Sequence, residues 1–281
     1  MTARLPDFVI IGAQKAGTTW LGARLAEQPS VFMSPVLEVR YFSRPDLYAK
    51  GLDWYAGHFA DAPADAVVGE KTPDYLWTVR PEGRGPNDIP ERMHKAVPDA
   101  RLLVALRNPV KRAISAFNHI IRTRKISPFA DPDTVLTAAL DPANDRFGLI
   151  GRGHYLVHLR RFLEFYPREQ MLTVFFEDEV VKAPQATLEK VMTFLNRRAS
   201  PPVQRRRWPE NKRMNTRLGL ILNYHMPKLA PVISVIDRLL PEAPAFTPSP
   251  ACTARLHEHF DSHNRALFSF LGRSTDAWNG T

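Results

Sequence analysis

The sequence predicts an α/β fold of three layers, a central, mostly parallel β-sheet flanked by helices. Three observations carry this. Short unbroken apolar runs at Phe8–Ile11, Arg101–Leu106 and Met171–Phe176 have the character of strands buried on both faces. Helical patterns separate these runs, as in βαβ units. The first run leads through a glycine-bearing turn, "IGAQKAGTTW", directly into a helix start. Such a junction favours an anion, because backbone N–H groups and the positive end of the helix dipole both point at it.

The remaining elements follow in order. A shorter strand, Ala66–Val68, precedes "GEKTPDY", and residues 79–90 ("VRPEGRGPNDIP") read as a loop. "NPVKRAISAFNHIIR" is helical, with Val110, Ile114, Phe117 and Ile121 on one side and Pro109 in the first turn. "GRGHYLVHLRRFLEFYP" is a second helix, with Leu156, Leu159, Leu163 and Tyr166 on its apolar side, stopping before Pro167. "TLEKVMTFL" is a third. "ACTARLHEHFDSHNRALFSFLG" is a long C-terminal one that ends at Gly272. Residues 199–250 combine a basic cluster, an apolar segment around Leu218–Ile236 and the Pro-rich "PEAPAFTPSP". We read residues 1–281 as a single domain, with 199–250 a looser region covering the site.

Composition narrows the function. Of 281 residues, 44% are hydrophobic and 24% charged, as in an ordinary soluble protein. No apolar run reaches the roughly 18–20 residues of a membrane span. "MTARLPDF" has no signal-peptide core, so a cytoplasmic location is the expectation. One cysteine, Cys252, excludes an internal disulfide and a cysteine metal cluster. The formal charge of +9 suits either an ordinary basic surface or a polyanionic ligand or partner. Zinc-finger spacing and RRM-like aromatic motifs are absent, so nucleic acid is not the expected partner. The basic residues recur at separate places, which suits a folded pocket. The oligomeric state is not fixed by the sequence.

A Walker A loop places its lysine directly after the second glycine. Here the order is Gly12, Lys15, Gly17, Thr18, Thr19, with the lysine two residues before that glycine. The loop is therefore P-loop-like without the kinase spacing. A second anion element follows the strand at Arg101–Leu106. Arg107 at the strand end can fork two hydrogen bonds onto a phosphate, and Ser115, two helical turns on, adds a hydroxyl.

With both elements in view, the sequence resembles the sulfotransferases that use 3′-phosphoadenosine 5′-phosphosulfate (PAPS). "IGAQKAGTTW" resembles their 5′-phosphosulfate loop, and "LLVALRNPVKRAISAFNH" their 3′-phosphate element. "EVRYF" with Glu38, "GLDWYAGHF", "GEKTPDYLW", "GRGHYLVHLRRFLEFYP" and "LGRSTDAW" are similar to the heparan-sulfate branch. There are two departures. Arg40 stands where that branch more often has His or Gln, and a single cysteine rules out the disulfide-bounded hairpin of its animal members.

The resemblance implies PAPS as donor, 3′-phosphoadenosine 5′-phosphate (PAP) as product, and no metal requirement. It assigns Lys15 to the bridging oxygen and leaving phosphate. Ala16, Gly17, Thr18, Thr19 and Trp20 would surround the 5′-phosphate, Arg107 and Ser115 the 3′-phosphate, and Tyr155 would add a cofactor contact. Glu38 becomes the general base, with Lys71 beside the transferring sulfonate or as its partner. Arg40, Asp74 and His158 would face the acceptor. Arg213, Asn215 or Arg217 of "NKRMNTRLG" would form an adenosine-phosphate lid. The acceptor is a hydroxyl or amine on a carbohydrate, or else a small-molecule or lipid-like alcohol. Two other classes compete: a P-loop kinase, distinguished by metal dependence, and a non-catalytic polyanion binder, distinguished by steep salt dependence. His119 and His158 are alternative bases, though both read better as packing or hydrogen-bonding residues. His259 and His263 have metal-compatible i,i+4 spacing, but no third ligand is evident, and the pair reads as surface.

Overall fold

β1 (Phe8–Gly12) is buried along its whole length, as its unbroken apolar run requires. It is the middle strand of a five-stranded parallel sheet identified in a computed structural model, which describes residues 4–83, 85–201, 216–229, 232–233, 237 and 245–278. The order is β2 (Val31–Met33), β3 (Val67–Lys71), β1, β4 (Arg101–Leu106), β5 (Met171–Phe175). Ile10 of β1 lies opposite Lys71 on one side and Leu103 on the other. The chain leaves β1 toward the β2 edge and leaves β4 toward the β5 edge. The crevice between those two exits is the topological switch point, where open parallel sheets bind ligands.

The helices are α1 (Thr18–Ala26), the short α2 (Pro45–Tyr48) and α3 (Leu52–Ala56), then α4 (Ile89–Ala96) and α5 (Pro109–Arg122). They continue with α6 (Pro132–Ala138), α7 (Tyr155–Leu163), α8 (Pro184–Phe194), α9 (Arg217–His225) and α10 (Pro250–Leu271). Asn108 caps α5 by accepting from the N–H groups of Val110 and Lys111 at 3.0 and 3.1 Å, and Pro109 fills the first turn. α10 stops at Gly272, whose φ of +65° suits glycine. One core cluster surrounds the sheet. A second joins α5, α6 and α10 through residues such as Phe117, Leu136, Leu256 and Phe260.

The structure amends the sequence reading in five places. β2 has only three residues, too few to leave a pattern. β3 runs on past the expected end at Val68 through Glu70 and Lys71, because Glu70 finds buried hydroxyl partners and Lys71 pairs with Glu38. Phe176 falls outside β5 and opens a π-helical turn, Phe176–Val181. The loop at 79–90 gives way to α4 at Ile89. The buried side of α7 is Tyr155, His158, Leu159 and Phe162, with Leu156 and Leu163 only half-buried, because two polar rings find hydrogen-bond partners inside. Among the described residues no helix is long and apolar enough to cross a membrane.

Candidate active site

Every polar group expected to act, apart from those in the lid segment, comes from the carboxyl edge of the sheet or from a helix that starts there. The loop after β1 turns on two left-handed residues, Lys15 at φ +69° and Gly17 at φ +86°. At Gly17 no other residue would serve: a Cβ would also lie 2.6 Å from the Phe176 ring. Gly17 is the N-cap of α1 and supplies no side-chain cap, so the first amides of the helix, Thr18 and Thr19 among them, have no acceptor a turn earlier. The Ala16 N–H is an exception to the expected set, since it donates to the Ala13 carbonyl at 3.2 Å. Thr18 is buried, Thr19 exposed, and Trp20 packs partly into the core.

Arg107, at the end of β4, is braced toward this loop. One Nη donates to the Lys15 carbonyl at 3.0 Å, and the guanidinium lies 4.9 Å from the Phe176 ring centre. Its Nε is buried without a hydrogen-bond partner, 3.9 Å from a Glu177 carboxylate oxygen. Burial pushes the Arg107 guanidinium down from its ordinary value. Behind it, the Tyr155 hydroxyl donates to the Arg107 carbonyl at 2.8 Å. Tyr155 is 1% exposed, so it supports Arg107 instead of meeting the cofactor as the resemblance implied. Ser115 is half-buried on α5, sharing a polar face with Lys111, His119 and Arg122.

On the other side of β1, Lys71 is nearly fully buried and reaches Glu38 Oε1 at 3.4 Å. Arg40 grips Glu38 Oε2 with Nε at 3.0 Å and Nη2 at 2.5 Å. Arg40 is itself left-handed, φ +58°, its N–H donating to Thr72 Oγ1. Burial pushes the Lys71 ammonium down, against the pull of Glu38. Beneath, Glu70 is wholly buried and accepts from Tyr55, Tyr75 and Thr72 hydroxyls at 3.0, 2.9 and 2.7 Å. Burial raises its carboxyl above the ordinary range, although those hydroxyls and Lys71 oppose the shift.

Two expected acceptor contacts are spent internally. Asp74 binds Arg152 at 2.6 Å and Arg80 at 3.1 Å. Burial would raise its carboxyl, but Arg152 and Arg80 outweigh burial and hold it well below the usual range. His158 is 1% exposed, with Nδ1 3.1 Å from Thr78 Oγ1 and Nε2 2.9 Å from the Gly151 carbonyl. Burial pushes it down to about 4. Both residues hold the 74–80 turn to the start of α7. Arg217 is exposed at the start of α9, over the Phe246 ring at 5.6 Å. Arg213 and Asn215 lie outside the described residues.

Sequence reasoning missed Glu177, and it singled out "LGRSTDAW" without its contact from Trp278 to Glu177. Glu177 accepts from the Asn108 N–H at 3.1 Å and from Trp278 Nε1 at 3.0 Å, tying the β4 exit to the C-terminal segment. The two are 101 residues apart, and no local pattern announces the contact.

These features define a P-loop-like α/β domain whose lysine lies within the loop and whose second cation, Arg107, follows the neighbouring strand. The Sulfotransferase domain family matches residues 5–225, and the chain belongs to that family. It is 29% identical over 202 residues to mouse heparan sulfate glucosamine 3-O-sulfotransferase 5, covering 70% of this chain and 55% of that one. It is 33% identical over 204 residues to the bovine bifunctional heparan sulfate N-deacetylase/N-sulfotransferase 2, covering 68% of this chain and 22% of that one. The chain thus spans about half the length of the first of these relatives and less of the second. The crystal structure of a sulfotransferase from Alicyclobacillus acidocaldarius superposes with a TM-score of 0.71 at 22% identity, covering 99% of this chain and 100% of that one, which establishes the shared fold.

Proposed function

We propose that this chain transfers a sulfuryl group from PAPS to a hydroxyl or amine of a carbohydrate. One observation carries the reading: three adjacent strands, β3, β1 and β4, set the Glu38–Lys71 pair on one side of the Lys15 loop and Arg107 on the other. A bisphosphate donor needs two separated anion sites, and the residues fit it. The α1 amides and the buried, unpartnered Nε of Arg107 both lack an anion. Family membership and the heparan sulfate activities of the relatives agree with this choice.

PAPS, when bound, supplies an activated sulfuryl group whose bond to the phosphate oxygen breaks as the bond to the acceptor forms. The α1 N-terminus and Lys15 stabilise the charge left on that phosphate oxygen. Arg107, held by Tyr155 from behind, fixes the far phosphate, with Ser115 on the helix that follows. Glu38 takes the acceptor's proton. Lys71 holds Glu38 in place through the 3.4 Å contact. Arg40, half-exposed while gripping the same carboxylate, is placed to meet an acidic group of the acceptor. The electrostatic work falls to lysine, arginine and backbone N–H groups, and the proton transfer to Glu38.

The test is a transfer assay with radiolabelled donor against desulfated heparan-type chains, neutral oligosaccharides and simple alcohols, with and without chelator. Label on the acidic chains, unaffected by chelator, is the expected result. Label only on the alcohols would overturn the carbohydrate assignment. Binding of acidic chains without transfer would favour the polyanion binder.

A further inference from the structure

The third histidine that the sequence did not reveal is His154. It immediately precedes α7 and lies against His259 and His263, one turn apart on α10. His154 Nε2 is 2.9 Å from His259 Nε2, and the rings of His154 and His263 stack with centres 4.2 Å apart. One ligand nitrogen from each of the three falls within 4.8 Å of the others, the one such group of histidines, cysteines or carboxylates among the described residues. We propose that His154, His259 and His263 bind a divalent transition ion of the zinc class, with water completing the coordination.

The geometry is close to what such an ion needs. With metal–nitrogen distances of about 2.0–2.1 Å, tetrahedral ligand nitrogens stand about 3.4 Å apart. The present separations, 2.9 Å between two of the ring nitrogens and no more than 4.8 Å among all three, bracket that value. The backbones are already fixed at close approach: a Cβ on Gly153 would lie 2.8 Å from the Phe260 ring, and Phe260 lies between the two helical histidines. Without an ion, the 2.9 Å pair makes a hydrogen bond only when one ring carries its proton on Nε2 and the other on Nδ1. An ion satisfies both at once. Metal binding needs neutral imidazoles. The ion would staple α10 to the start of α7, next to Tyr155. This inference does not depend on the sulfuryl reading.

The experiment uses full-length protein without an affinity tag, stripped with chelator and then titrated with zinc chloride by calorimetry. One equivalent bound, with a raised melting temperature, is expected. His263→Ala and His259→Ala should each weaken binding at least about tenfold. His257→Ala, outside the cluster, should leave it unchanged. Circular dichroism confirms that each variant is folded. If His259→Ala does not fold, His263→Ala decides, and cobalt(II) spectra report whether nitrogen ligands surround the ion in the wild type. Absence of stoichiometric binding, or affinity equal in wild type and His263→Ala, would overturn the proposal.

Discussion

The two sides of the site are built differently. On the donor side each polar group is braced by the main chain or by a ring. Gly17 is held by its own conformation and Phe176, Arg107 by the Lys15 carbonyl, and the β4 exit by Tyr155 and Glu177. On the acceptor side the side chains brace one another: Arg40, Glu38 and Lys71 form a chain of charges, and the outermost member is half-exposed. A main-chain brace recognises a constant ligand, because it does not move. A charge chain can exchange partners when a substrate brings its own charge. The contrast suits a fixed donor and a varied acceptor.

The largest effect should come from the acceptor side. Glu38→Gln removes the proton acceptor while keeping the shape, and turnover should fall about 10³-fold. PAP affinity should stay near wild type, because the ion-pair partners of Glu38, Arg40 and Lys71, lie on the acceptor side. A Gln variant that turns over at full rate would remove Glu38 from its role.

Next comes Asp74→Asn, which leaves Arg80 and Arg152 nearly buried without their anion and should cost about 3 kcal/mol of stability. The pH sign follows from the lowered carboxyl. Its stabilisation is fully present above the unfolded carboxylate value of about 4 and is lost as pH falls below it. Wild type should therefore lose stability on acidification more steeply than the Asn variant, as measured by denaturant midpoints across pH. Parallel curves would show that the arginine clamp contributes nothing.

The smallest effect is Tyr155→Phe. It deletes one hydrogen bond behind Arg107, worth about 1 kcal/mol, and should weaken PAP about fivefold with little change in acceptor KM. An altered acceptor KM with unchanged PAP binding would blur the division between the two sides.

The difference in construction also decided what the sequence could reveal. The donor side is local: strand, loop glycines and helix start are contiguous, and Arg107 and Pro109 sit beside one another. β1, β4 and the loop were therefore legible, as was the Gly272 stop. Burial of polar groups was not. The apolar run stops the strand at Val68 until Tyr55, Tyr75 and Thr72 are seen to satisfy Glu70, and His158 reads as an available imidazole until Thr78 and Gly151 are seen to occupy it. The histidine cluster failed for the same reason, since 105 residues separate His154 from His259. Long-range partners leave no periodicity.

The central claim is that the carboxyl edge of β1 and β4 cradles a nucleotide with two separated phosphates. Calorimetry of PAP against wild type and Arg107→Ala, without metal and with ATP and ADP as controls, tests it most directly. The account predicts micromolar PAP binding, weakened about 30-fold in the variant by loss of about 2 kcal/mol of charged hydrogen bonding, and little response to ATP. Preference for ATP, or PAP binding indifferent to Arg107, would contradict it.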